Sequence, residues 1–234
     1  MIDLKEDLAI IGYPKVGNTW VQFIIVNIAG VMWNDMSHSH NMPLFNFEKS
    51  ADMVMDNDYL KGRKVMVIIR HAGDVLVSLY MHNVYRENFP IYEGSLEDFV
   101  HDDIYGIDKY ITYYIQLYSD MHTFKDTLLV KYEDLIMSAP QWIRKISDFI
   151  EFDLPDGDER RISLATNFET MKTLELRDAN SHIPALRRSA NWQKTNDSFK
   201  IREGKVGGYV NHFSAGTAAY INKRMKDLPE FYGY

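Results

Sequence analysis

Residues 10–20 read IIGYPKVGNTW: an apolar run enters a glycine, a proline and a lysine, then a second glycine and a polar pair. Gly12 and Gly17 let backbone amides approach an anion, and a helix starting there offers it the positive end of its dipole. Asn18 and Thr19 add side-chain donors. The glycine spacing is that of a phosphate loop, G-x-x-x-x-G-K-[ST], but the lysine is Lys15, inside the loop rather than after the second glycine. A cation there sits beside the bound group. That suits a single phosphate with a charged leaving-group oxygen better than a triphosphate tail. The plain alternative is a strand-to-helix turn with a solvated lysine.

Two further stretches carry cations. Residues 70–78, R-H-A-G-D-V-L-V-S, place Arg70 after an apolar run and Ser78 eight residues on. Together these two can hold a second phosphate, since a guanidinium binds such a group through two parallel hydrogen bonds. Otherwise Arg70 is a surface ion-pair partner of Asp74, and Asp74 is an N-terminal helix charge. Residues 202–209, R-E-G-K-V-G-G-Y, add Arg202 among three glycines. Standing alone, that stretch reads as a flexible loop.

The elements that must bring these stretches together are short. LAII (8–11), KVMVII (64–69) and TLLVKY (127–132) are rich in β-branched and aliphatic residues, as buried parallel strands are. Helical spacing occurs over 18–32, 74–87 and 107–122, the last a stripe of Tyr110, Tyr113, Tyr114 and Tyr118 that reads as packing. Ser95 to Asp98 forms a capping-box signature, and Ser138 and Pro140 suit the start of a helix running to about Ile150. Strands alternating with helices predict an α/β fold, a parallel sheet with right-handed crossovers and ligands at the carboxyl ends of its strands. Residues 13–19 and 70–78 then share one rim. Residues 33–61 and 177–205 lack periodicity and read as irregular.

Composition narrows the classes. A chain of 234 residues, 46% hydrophobic, suits a single domain over 1–234. A net charge of -7 argues against a general nucleic-acid partner. With no cysteines, disulfides and cysteine-based metal sites are excluded. No apolar run reaches the roughly 18 residues of a membrane span, and no secretory n-region opens the chain. The expectation is a soluble cytoplasmic protein with no membrane partner.

Taken in order, these stretches resemble the sulfotransferases that use 3′-phosphoadenosine 5′-phosphosulfate (PAPS), whose fold is P-loop-like. That family's Y-P-K-x-G-x-T-W loop is matched by Tyr13-Pro14-Lys15-Val16-Gly17-Asn18-Thr19-Trp20. Its R-x-x-x-D-x-x-x-S segment is matched by Arg70, Asp74 and Ser78, its Y-E-D by Tyr132-Glu133-Asp134, and its late R-x-G-x-x-G by Arg202, Gly204 and Gly207. The resemblance covers most of the chain, from residue 10 to about 225. It implies a sulfotransferase with PAPS as cosubstrate, adenosine 3′,5′-bisphosphate (PAP) as product and no metal. Lys15, Gly17, Asn18 and Thr19 would hold the 5′ end, while Arg70, Ser78, Arg202 and the adjoining Glu203 and Gly204 would surround the 3′-phosphate. Trp20 would stack on adenine with Tyr132 near the base. Lys15 and Ser78 are expected among the catalytic residues.

The family's histidine base often lies in K-T-H, absent here. S-H-S-H-N-M-P (37–43) occupies the same interval, with His40 the first choice as base and His38 the second. Two histidines without a third recognisable ligand do not make a metal site. Asn18 replaces a commoner Ser or Thr, Glu203 stands where the family prefers lysine, Gly208-Tyr209 replaces Asp-Trp, and the family's C-terminal dimer motif is not evident, which leaves the oligomeric state open. The expected acceptor is a small alcohol or phenol, with a carbohydrate behind it. The competing readings are a P-loop kinase or ATPase and an inactive nucleotide-binding module. A kinase lacks its lysine after Gly17 here, and KVMVII ends in Arg70, which would repel Mg²⁺.

Overall fold

The computed structural model describes residues 3–31, 59–85, 92–177, 197 and 199–234. Its centre is three parallel strands, β1 (Leu8–Ile11), β2 (Lys64–Ile69) and β3 (Asp126–Lys131), in the order β1-β2-β3. Ile11 pairs with Val67 and Ile69 with Lys131, so the three strands end at one rim. The residues that follow them, Gly12, Arg70 and Tyr132, emerge together, as parallel topology requires. β1 is buried throughout and β2 from Val65 onward, the pattern of strands covered on both faces.

Helix α1 (Asn18–Ala29) stops three residues short of the expected end because Gly30 adopts the left-handed conformation (φ 64°) and donates its N–H to the Val26 carbonyl. Helix α2 (Ala72–Tyr85) follows Arg70 closely. Helix α3 (Leu96–Val100) opens on the expected box, with Ser95 and Asp98 bonding reciprocally. After the tyrosine-rich α4 (Ile107–Asp120) and β3 comes α5 (Tyr132–Met137), so Tyr132 is the first residue of a helix, not the last of a strand. Helix α6 (Ala139–Phe149) carries Pro140 in its first turn, where its missing N–H costs nothing. Helices α7 (Asp158–Ala165), α8 (Phe168–Arg177) and α9 (Ala215–Met225) complete the described α-helices and, like α5, lie outside every helix expected from periodicity.

The tyrosine stripe of α4 is packing, and also more than that. Tyr110, Tyr113 and Tyr114 are buried, whereas Tyr118 is 46% exposed. The Tyr114 hydroxyl donates to the Ile68 carbonyl (2.6 Å) and accepts from the Tyr13 N–H (3.2 Å), joining the exits of β1 and β2. Tyr110 donates to the Arg70 carbonyl at 2.5 Å. Burial, the largest influence on both phenols, holds their pKa values well above the usual range, so both remain donors at neutral pH. Among the described residues, no helix is long and apolar enough to cross a membrane.

Candidate functional site

The loop between β1 and α1 is held in a single shape. Lys15 (φ 74°) and Gly17 (φ 113°) both lie at positive φ, and one amide N–H of Asn18 donates to the Gly12 carbonyl at 3.0 Å. The Asn18 Oδ1 is buried and has no hydrogen-bond partner. Gly17 faces Tyr132: a Cβ there would stand 2.9 Å from that ring. Thr19 is buried at the start of α1, and Trp20 is half-buried with its ring edge on Tyr132 at 5.5 Å.

Tyr132 links the loop to Arg70, whose guanidinium lies over its ring 4.2 Å from the centroid. Arg70 also donates through Nη2 to the Lys205 carbonyl at 2.8 Å, while its Nε is buried without a partner. The expected ion pair with Asp74 is present at 3.7 Å, but it is not a surface pair: the side chains are 12% and 3% exposed. The Asp74 carboxylate serves another segment, accepting from the N–H groups of Gly207 (2.8 Å) and Tyr209 (3.0 Å). The rim of β2 and the late glycine-rich loop are therefore one structure. Ser78 is half-buried one helical turn beyond Asp74, on the same face of α2.

Behind Arg70 lies a network that motif spacing does not reveal. The His71 N–H donates to Glu133 Oε1 (2.8 Å), and the Tyr234 hydroxyl donates to Glu133 Oε2 (2.6 Å). The His71 ring stacks on Tyr209, with centroids 4.6 Å apart, and its Nδ1 accepts from the Gly73 N–H at 3.2 Å. Burial lowers the His71 pKa from its ordinary 6.5, with Arg70 acting the same way, against the opposing pull of Asp74, Glu133 and a hydrogen bond with Asn222. Below about pH 6.5 the unfolded chain then binds the proton first, so stability falls with acidification through that window. The melting temperature should drop between pH 7 and pH 5.5, and His71→Asn should flatten that drop. An unchanged pH slope in the variant would assign the effect elsewhere.

In the late loop, Arg202 forms an ion pair with Glu203 and lies 3.9 Å from Asp197, while His212 Nε2 stands 3.7 Å from Glu203. Glu203 thus occupies the cation that the motif offers to an anion. Gly204 (φ 63°) meets Phe168 of α8 so closely that a Cβ would be 2.3 Å from the ring. The trace of this contact in the sequence is only the helical spacing of Phe168, Met171, Lys172 and Glu175. His38 and His40 lie outside the described residues.

Four sequence-distant stretches, around Lys15, Arg70, Tyr132 and Lys205, thus meet at the carboxyl rim, where Arg70 faces an anionic ligand and Arg202 is held by Glu203. A family model, the sulfotransferase domain, matches residues 54–231. Sulfotransferase 6B1 of Danio rerio is 27% identical over 250 residues, covering 96% of this chain and 77% of that protein. Among solved structures, mouse sulfotransferase SULT7A1 complexed with PAP superimposes with a TM-score of 0.65 at 21% identity, over 95% of this chain and 84% of that one. Retinol dehydratase in complex with androsterone and inactive cofactor PAP gives a TM-score of 0.69 at 17% identity, over 95% and 80%. The rim, the parallel sheet behind it and the family match over most of the chain lead to one assignment: this protein belongs to the sulfotransferase family.

Proposed function

We propose that the chain transfers a sulfuryl group from PAPS to a hydroxyl, or an amine, of a small-molecule acceptor. The observation that carries this reading is Arg70, which lies on Tyr132 beside the Lys15 loop and is bonded to the Lys205 carbonyl of the Arg202 loop. Its buried, unpartnered Nε fits an acceptor oxygen of a ligand at this rim. The two structural neighbours described above hold PAP, which supports the same donor.

In this reading the backbone at Lys15 and Gly17, with Asn18 and Thr19, holds the 5′ end, and Trp20 and Tyr132 flank the base. Arg70, Ser78 and Arg202 take the 3′-phosphate, with Glu203 and Gly204 alongside. Arg202 must exchange Glu203 for that phosphate, which weakens the grip. The bond between sulfur and the bridging oxygen breaks as the acceptor oxygen bonds to sulfur, and the acceptor proton passes to His40. Lys15 stabilises the negative charge that grows on the bridging oxygen. The transfer is loose, so positioning and electrostatics supply most of the rate. The acceptor is a small alcohol or phenol. Androsterone in the retinol dehydratase complex supports an acceptor of that size.

Calorimetric titration with PAP and with Mg²⁺-ATP tests the donor class. Tight binding of PAP and weak binding of ATP is the expected outcome. A preference for Mg²⁺-ATP would replace this reading with a kinase.

A further inference from the structure

The loop that carries Arg202 is staked at both ends by buried carboxylates. At the far end stands Asp74, holding the N–H groups of Gly207 and Tyr209. At the near end stands Glu175 of α8, fully buried, with one oxygen on the Lys200 N–H at 2.7 Å and the other on the Ile201 N–H at 2.8 Å. These two amides immediately precede Arg202. The next carbonyl, that of Arg202 itself, accepts from Lys172 at 3.4 Å.

Glu175 belongs to a face of α8 devoted to this loop. Phe168, Met171, Lys172 and Glu175 follow the i, i+3, i+4, i+7 spacing of one helical face. Phe168 meets Gly204, Met171 shares a buried cluster with Phe23 on which Ile201 packs, and the Lys172 ammonium lies over the rings of Phe168 and Phe199. Packing alone is served here by a leucine of similar volume. A carboxylate taken out of water is unfavourable unless its oxygens are satisfied, and both oxygens of Glu175 accept from the backbone that leads into Arg202.

We infer that Glu175 is a positioning residue for the donor's 3′-phosphate, setting the approach of Arg202 through the two amides it holds. The inference rests on the assignment of Arg202 under Proposed function. Without Glu175, the amides of Lys200 and Ile201 lose their acceptors and the near end of the loop must open to regain them from water. Asp74 still fastens the far end, so the disturbance falls first on Arg202.

The test compares PAP with adenosine 5′-monophosphate, which lacks the 3′-phosphate, by calorimetry on the full chain. Glu175→Ala should weaken PAP about tenfold and the monophosphate by no more than about twofold, the size of effect expected from unmaking charge-assisted hydrogen bonds. Glu175→Gln keeps the volume and one acceptor oxygen, should lose about threefold for PAP alone, and decides the matter if the alanine variant does not fold. In steady state the loss should appear in KM for PAPS, with kcat changed by no more than about twofold. Wild-type selectivity in both variants, even with a lowered melting temperature, would reduce Glu175 to a structural residue and overturn the inference. A wild-type protein that does not favour PAP over the monophosphate would instead overturn the donor assignment, and this inference with it.

Discussion

Replacing Lys15 by alanine should lower kcat by about a hundredfold or more while leaving the Kd for PAPS, measured without acceptor, within about threefold of wild type. The asymmetry follows from when the charge appears. The bridging oxygen carries little charge in the bound donor and gains it as the sulfuryl group departs, so a cation beside it acts mainly in the transition state. Phosphate anchoring falls to the backbone at Lys15 and Gly17 and the N-terminus of α1, which the substitution leaves in place. Single-turnover rates and titrations with PAPS in the absence of acceptor, on the same variant, separate the two effects. Equal losses in rate and affinity would make Lys15 an ordinary anchor.

Replacing Arg70 by alanine should remove most of the preference for PAP over adenosine 5′-monophosphate, about a hundredfold in the ratio of their Kd values. Arg70 sits over Tyr132 and bonds the Lys205 carbonyl, so alanine also loosens the late loop. Arg70→Lys separates these roles: it keeps the charge but lacks the planar fork, and it should recover only part of the selectivity. A variant that still distinguishes the two nucleotides as wild type does would refute the assignment of Arg70 to the 3′-phosphate.

Local signals carried much of this architecture. The three strands and helices α1, α2 and α4 follow from runs of Ile, Val and Leu and from helical periodicity, α6 from Ser138 and Pro140, and the loop chemistry from Gly12, Lys15 and Gly17. Helix α5 reads in the sequence as strand end and loop. Parallel topology then dictates that these stretches share a rim. What spacing did not reveal is held by partners far apart in the chain. The Tyr13 N–H bonds a tyrosine 101 residues away, and Asp74 fastens amides 133 and 135 residues away. In the sequence Asp74 has only the look of a first-turn helix charge. Helix α7, DERRISLA, has a single buried residue, Ile162, so no apolar stripe betrays it. In α9 only Ile221 and Met225 are buried, for the same result. Glu175 reads as a solvated charge until the segment covering it is known.

The left-handed backbone at Lys15 has a consequence for how the donor is received. A side-chain-bearing residue in that region costs about 1–2 kcal/mol, and the cost is met when the chain folds. Asn18 clasps the loop onto Gly12, and Tyr132 closes against Gly17, through contacts of the protein's own making. The loop is therefore a mould rather than a glove. Folding, not the incoming charge, sets the direction in which the Lys15 side chain leaves the backbone. Little conformational entropy at the 5′ end remains to be lost on binding, so more of the binding free energy is available to bring sulfur and acceptor together.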